Sequence, residues 1–163
     1  MNVVCGWYVA NSILKKSFEE KNYITPLKLN CLVYLLSSEY LYLNGECLSN
    51  ELFEKTKYGP VLPSIYFKFN SFGNRVITKY AKDATGKIIH INGIKFDESL
   101  LHIWEKFKNI DDATIISYIG SGSNYSKKEM DRTISEREML MDEIDRQEKT
   151  LEKAKVYTKN TRV

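Results

Sequence analysis

Cysteine and histidine are too few here for the chemistry they usually carry. The three cysteines, Cys5, Cys31 and Cys47, are odd in number and far apart, and no C-x-x-C pair exists. That spacing excludes a zinc ribbon or a dithiol redox motif and suits a reducing compartment. His90 and His102 are the only histidines. No HExxH pattern or clustered ligand set surrounds them, so neither a metal nor another cofactor is expected. Charge of one sign is also lacking. The net charge is +3, and Lys and Arg are mixed with acids rather than gathered into a basic stripe, which argues against a nucleic-acid binder. The opening Met1–Tyr8 has no basic n-region and does not read as a secretory signal. The longest apolar segment, Leu27–Leu43, is interrupted by Lys28, Asn30, Ser37, Ser38 and Glu39, so it reads as a buried core helix, not a membrane span. A cytoplasmic protein follows.

Motifs for turnover are missing too. Gly120-Ser-Gly-Ser-Asn-Tyr-Ser-Lys-Lys fails the GxxxxGK[ST] spacing and fails GxGxxG at Tyr125. No serine sits in a GxSxG elbow. The adjacent acids Asp111-Asp112 and Glu19-Glu20 point to different helix faces and make poor acid–base pairs. The chain therefore reads as a non-enzyme. A small hydrolase or nucleotide-binding enzyme is a weaker alternative.

What is present is helical pattern. A first helix is predicted from Trp7 to about Glu20. Thr25 is a good N-cap, Pro26 suits the first helical position, and Asn44-Gly45 ends a helix that is apolar nearly all round. Tyr58-Gly59-Pro60 is a turn, and Pro63 or Ser64 starts a short helix carrying Ile65, Tyr66 and Phe69. The alternation in Val76–Tyr80 and Lys87–Ile91, around a turn at Asp83–Gly86, predicts a β-hairpin. Two more helices follow, one around Trp104 and one around Ile115–Ile119.

Gly120-Ser-Gly-Ser-Asn reads as a joint over 120–126. After it, Ser126-Lys-Lys-Glu129 has the capping-box pattern, and no Pro or Gly occurs from Lys127 to Tyr157. One helix of about thirty residues, roughly 45 Å, is expected. Its sparse apolar positions Met130, Ile134, Met141, Ile144 and Leu151, with Arg137 and Glu148 between, step by fours and threes like a coiled-coil seam. Met130, Met139 and Met141 are expected at its surface as adaptable contacts. Residues Lys149–Val163 hold five basic and one acidic residue, which suits the negative end of a helix.

The fold class expected is mainly α (α+β): a compact helical bundle over 1–119 with a small β-hairpin, a Gly/Ser joint at 120–126, and a long charged helix and tail over 127–163. The candidate partner-binding residues are Tyr58, Tyr66, Met130, Ile134, Arg137, Met141, Ile144 and Leu151. Homo-oligomerisation through the last helix is a further expectation.

Two separated signals give a sharper indication. Ile24-Thr-Pro-Leu-Lys-Leu-Asn30 opens a Tyr-rich helix, and Tyr58-Gly-Pro-Val-Leu-Pro-Ser64 precedes the aromatic pair Tyr66 and Phe69. With the earlier Val9-Ala-Asn-Ser-Ile-Leu14, these resemble the SocA-like antitoxin, or Panacea, domain over residues 7–75. Cys31 departs from the Lys of that pattern. The family's Thr-His element and Trp-bearing segment are not found past Ile119. The resemblance implies an antitoxin-like inhibitor that neutralises a toxin or effector protein by direct binding, often prophage- or phage-encoded. An anti-defence protein, such as an anti-CRISPR inhibitor of a CRISPR effector, is the alternative it leaves open.

Overall fold

The computed structural model describes residues 3–161, with side chains to 156. In chain order the elements are α1 (Gly6–Glu19), α2 (Pro26–Asn44), β1 (Glu54–Thr56), β2 (Gly59–Val61), α3 (Pro63–Phe69) with a 3-10 turn at Asn70–Phe72, α4 (Ile94–Phe107), α5 (Asp112–Gly120), α6 (Ser123–Lys127) and α7 (Glu136–Thr161). The protein is mainly α, with one two-stranded antiparallel hairpin. No described helix is long and apolar enough to cross a membrane.

α2 is the hub because it is apolar on every side. Leu29, Leu32, Val33, Leu35, Leu36 and Tyr40 are all buried, and α1, α3, α4, α5, α7 and β2 pack around it. Its ends form as the sequence dictates. The Thr25 hydroxyl accepts from the Lys28 N–H at 3.2 Å, Pro26 fills the first position, and Gly45 ends the helix at φ 67°.

The two sequence signals are one structural unit. The Asn30 side chain in α2 accepts from the Leu62 N–H at 3.0 Å, tying the segment after β2 to the helix. Gly59 holds φ 102° and lies against Cys31, so the tight turn needs a residue without a Cβ. Lys28 reaches the other way: its ammonium donates to the Lys108 and Ile110 carbonyls at 2.8 and 2.7 Å and caps the end of α4. One carboxylate, Glu51, accepts from the Gly6 N–H (2.8 Å) and the Ser64 N–H (2.8 Å), serving the starts of α1 and α3 together. These motif residues are architectural, and the fold explains their spacing.

The hairpin stands elsewhere than expected. β1 and β2 pair across Glu54–Val61, where the sequence reads as a loop or weak strand up to Lys57 followed by the Tyr58–Pro60 turn. Residues 76–91 form no ladder. Their turn is present, closed by Asp83 N–H to the Lys87 carbonyl at 2.9 Å. The two arms, however, spend their polar backbone groups on α1. The buried Asn11 amide donates to the Ala81 and Ile89 carbonyls and accepts from the Ala81 N–H, and Ser12 accepts from the Ile91 N–H. Side chains of a helix outcompete strand pairing here.

The last helix also begins later, at Glu136 rather than Lys127. Ser126-Lys-Lys-Glu129 makes no capping box. The reciprocal pair is Ser135 and Glu138: the Ser135 N–H donates to the Glu138 carboxylate (3.0 Å) and the Glu138 N–H to the Ser135 hydroxyl (3.1 Å). Between α6 and α7 the chain is drawn out along β1. The Lys55 N–H donates to the Arg132 carbonyl, the Asp131 N–H to the Lys55 carbonyl, and the Ile134 N–H to the Phe53 carbonyl. The Lys55 ammonium adds bonds to the Tyr125, Ser126 and Lys128 carbonyls, capping α6. The end of the basic tail, residues 162 and 163, lies outside the described residues.

Candidate functional site: the C-terminal helix and its cleft

α7 has two faces and two halves. One face of its first three turns enters the core through Met139, Asp142, Glu143 and Arg146. Asp142 is the anchor, only 1% exposed. Its carboxylate accepts from the Asn124 N–H (2.9 Å), the Asn124 amide (3.0 Å) and the Tyr125 N–H (2.9 Å), at the start of α6. A Cβ on Gly122 would lie 2.5 Å from this carboxylate, so the glycine is there for close approach. The expected Gly/Ser joint is thus a helical turn bolted to α7.

The opposite face carries Arg137, Met141, Ile144, Glu148 and Leu151. At 100° per residue these lie within about 80° of one another, turned away from Asp142 and Arg146. Arg137 and Met141 are exposed, Ile144 is half-buried and Leu151 is 57% exposed. From Glu148 to Val156 every residue is exposed. The helix therefore leaves the body after Gln147 and continues as an arm to Thr161. Its described charges there are Glu148, Lys149, Glu152, Lys153 and Lys155.

Four of the eight candidate residues, Arg137, Met141, Ile144 and Leu151, fall on this single outer ridge. The others do not join it. Ile134 precedes the helix and is buried, because the α6–α7 segment folds it under β1. Met130 is exposed in the turn before that segment. Met139 is buried, against the expectation of exposure, because it turns inward to line a small cavity with Ser37 of α2 and Ile134. Tyr58 is exposed at the hairpin tip, where the Lys57 ammonium lies 5.0 Å from its ring. Tyr66 is exposed on α3 next to Phe67, which is more exposed still.

Where the arm leaves the body, a cleft of about 140 Å³ opens between α2, α4, α5 and α7. Leu35, Ile103 and Phe107 give it apolar walls, and Glu39, His102, Glu143 and Arg146 give it charge. Glu39 is paired with His102 through one oxygen. Arg146 donates through Nη2 to Glu143 at 3.0 Å, and Gln147 donates to the same carboxylate at 2.8 Å. Among the described residues no protein group satisfies the second oxygen of Glu39 or Nη1 of Arg146, although these residues are only 4% and 8% exposed. Sequence reasoning missed this cleft. Its members are spread over four helices, and the only local signal was a carboxylate, Glu39, inside an otherwise apolar helix.

Burial pushes the Glu39 carboxyl up, as Glu143 nearby also does, while His102 and Lys106 hold it down. The sign is fixed. A carboxyl raised in the folded state favours folding fully below its usual 4.5 and loses that contribution as pH climbs through its folded value. Glu39→Gln, neutral throughout, should match the parent at pH 4 and become progressively the more stable chain toward pH 8. Urea midpoints at the two pH values check this. A gain that shrinks with rising pH would contradict it.

Cys31 and Cys47 fit no reactive site. Burial pushes the Cys31 thiol up to about 12, and burial with Glu136 pushes Cys47 up to about 11. Neither is a thiolate near neutrality. Among the described residues no three His, Cys, Asp or Glu side chains converge as a metal-ligand set.

A hub helix, the Asn30–Leu62 tie and a folded-back C-terminal helix make one continuous architecture, and the family comparison covers it. The family model described as "Antitoxin SocA-like, Panacea domain" matches residues 29–156, from the first turn of α2 to the arm of α7. Comparison with curated proteins and with solved structures returned no match. With a single family model spanning well over half its length, including both the hub and the C-terminal helix, this chain belongs to the SocA-like antitoxin, Panacea-domain family.

Proposed function

We propose that the chain is a non-catalytic, antitoxin-like inhibitor that grips a toxin protein with the outer ridge and arm of α7. Family membership supports an antitoxin-type role and, in general, a toxin protein as partner. The observation that carries the surface is the division of α7. Asp142 and Arg146 fix one face to the body, while Met141 and Leu151 lie exposed on the other. An exposed helix end gains only about 0.2–0.5 kcal/mol from each ion pair of the i,i+4 kind, so packing against something else must supply most of its stability. Mixed apolar and charged positions at heptad-like spacing suit a helical partner surface, with Arg137 and Glu148 setting register. Tyr66 and Phe67 on α3 offer a second, aromatic contact area.

The test is truncation after Gln147. The shortened chain keeps every buried residue among those described, so its thermal unfolding should stay within a few degrees of the parent. Its pull-down of the toxin should be lost or weakened by about 100-fold, the scale of a few buried anchors at an interface. Undiminished binding by the folded truncation would remove the arm from the interface.

A further inference from the structure

We propose that in the free protein the outer ridge of α7 is covered by a second copy of the chain, its α7 laid antiparallel across the first. This rests on the reading of that ridge as a protein-binding surface and goes beyond it by naming what occupies the ridge before a toxin does.

The ridge is complementary to itself. Along the helix it runs Arg137, Met141, Ile144, Glu148: a base, two apolar side chains and an acid, in steps of four, three and four. Turned end for end and laid face to face, two such ridges set Met141 against Ile144 of the second copy, and Arg137 against Glu148 of the second copy. The two-fold axis between the copies repeats each pairing, so apolar layers lie at the centre with an ion pair at either end. Arg137, Met141 and Glu148 are exposed, and Ile144 is half-buried. Among the described residues no hydrogen bond or ion pair involves the side chain of Arg137 or Glu148. Both charges are available to pair outside their own chain.

Other arrangements lose this match. A parallel pair in register sets Arg137 on Arg137 and Glu148 on Glu148 of the second copy. Sliding the antiparallel pair one heptad toward the arms puts Arg137 against Lys155 and Ile144 against Glu148. The bodies do not stand in the way. Asp142, which bolts α7 to α6, lies on the opposite face of the helix, so each body sits on the outside of the pair. On one flank Glu138 comes near Asp145 of the second copy. The Lys128 ammonium already holds Glu138 at 2.9 Å, which offsets that repulsion. Leu151 falls beyond the paired length and stays on the arm. Four apolar side chains and two ion pairs cover far less than the roughly 1,600 Å² of a standard stable complex, so the dimer is weak and a toxin can displace it.

Charge reversal within one chain tests the pairing, with the full-length protein followed by sedimentation velocity over rising concentration and no toxin present. The parent should pass from monomer to dimer with a midpoint at about 100 µM, the range of a small interface. Arg137→Glu and Glu148→Arg each turn two attractions into two repulsions, and each should weaken the dimer about tenfold. The double variant Arg137→Glu, Glu148→Arg restores both ion pairs with the signs exchanged and should return to within about twofold of the parent. Both positions are exposed, so thermal unfolding of all three variants should match the parent. A monomer throughout would overturn the proposal. So would a dimer that the single reversals leave unchanged, the result expected of a parallel pair or of another face. Weakening by the single reversals without recovery in the double variant would rule out this register. Absence of the dimer, beside a truncation after Gln147 that still abolishes toxin binding, would remove the second copy alone. A dimer that recovers in the double variant, beside a truncation that still binds toxin, would keep the second copy and remove the toxin from this surface.

Discussion

Leu32→Ala is expected to lower the unfolding free energy by about 2–5 kcal/mol, the cost of a buried leucine truncated where the neighbours cannot collapse. Leu32 is wholly buried on a helix that other elements enclose from all sides. Movement of one neighbour to fill the gap would pull on another, so the cost should fall in the upper part of that range. A urea midpoint that drops at unchanged slope is the expected reading. An unchanged midpoint would place α2 at the periphery, against the packing described above.

Asp142→Ala should cost nearly as much, about 2–4 kcal/mol. The substitution removes no apolar area of note. It strips three donors of their acceptor, two of them backbone N–H groups at the start of α6. A buried donor left unpaired costs about 1–3 kcal/mol, and Asn124, which is only partly buried, can turn toward water. Asp142→Asn keeps one acceptor oxygen and should recover part of the loss. The check is hydrogen exchange alongside denaturation. Amides of 123–127 and of the first turns of α7 should lose protection together, while α2 keeps its own. If Asp142→Ala changed stability by less than about 0.5 kcal/mol, the value of an ordinary surface substitution, α7 would not be anchored as described.

Much of the helical layout was legible in the chain, and the reasons are local. Thr25-Pro26 and Gly45 mark the ends of α2 because caps act within one turn. Pro63 starts α3 for the same reason. The hairpin was misplaced because alternation reports a half-buried extended chain and not what it pairs with. Residues 76–91 are extended, yet Asn11 and Ser12 take their backbone bonds from a distance of about eighty positions in sequence. The start of α7 was misplaced because S-x-x-E occurs twice in the stretch leading into it, at Ser126 and Ser135. Only the strand-like hold of Lys55 on residues 131–132 decides between them. The outer ridge was legible through Met141, Ile144 and Leu151, since heptad spacing survives whatever covers the other face. The buried face was not, because Asp142, Glu143 and Arg146 read as solvated charge until Asn124 and Tyr125 on α6 and Tyr118 on α5 are placed beside them. The cleft needed the same knowledge.

The central claim is that the body of this antitoxin-family chain is a scaffold and that the arm of α7 inhibits by binding. Growth rescue tests it most directly. Host cells expressing the toxin are supplied with the full chain, with residues 1–147, or with the full chain carrying Met141→Asp and Leu151→Asp on the outer ridge. Soluble levels are matched by immunoblot. The account predicts rescue by the full chain alone, with both altered chains folded and inactive. Full rescue by either one would contradict it.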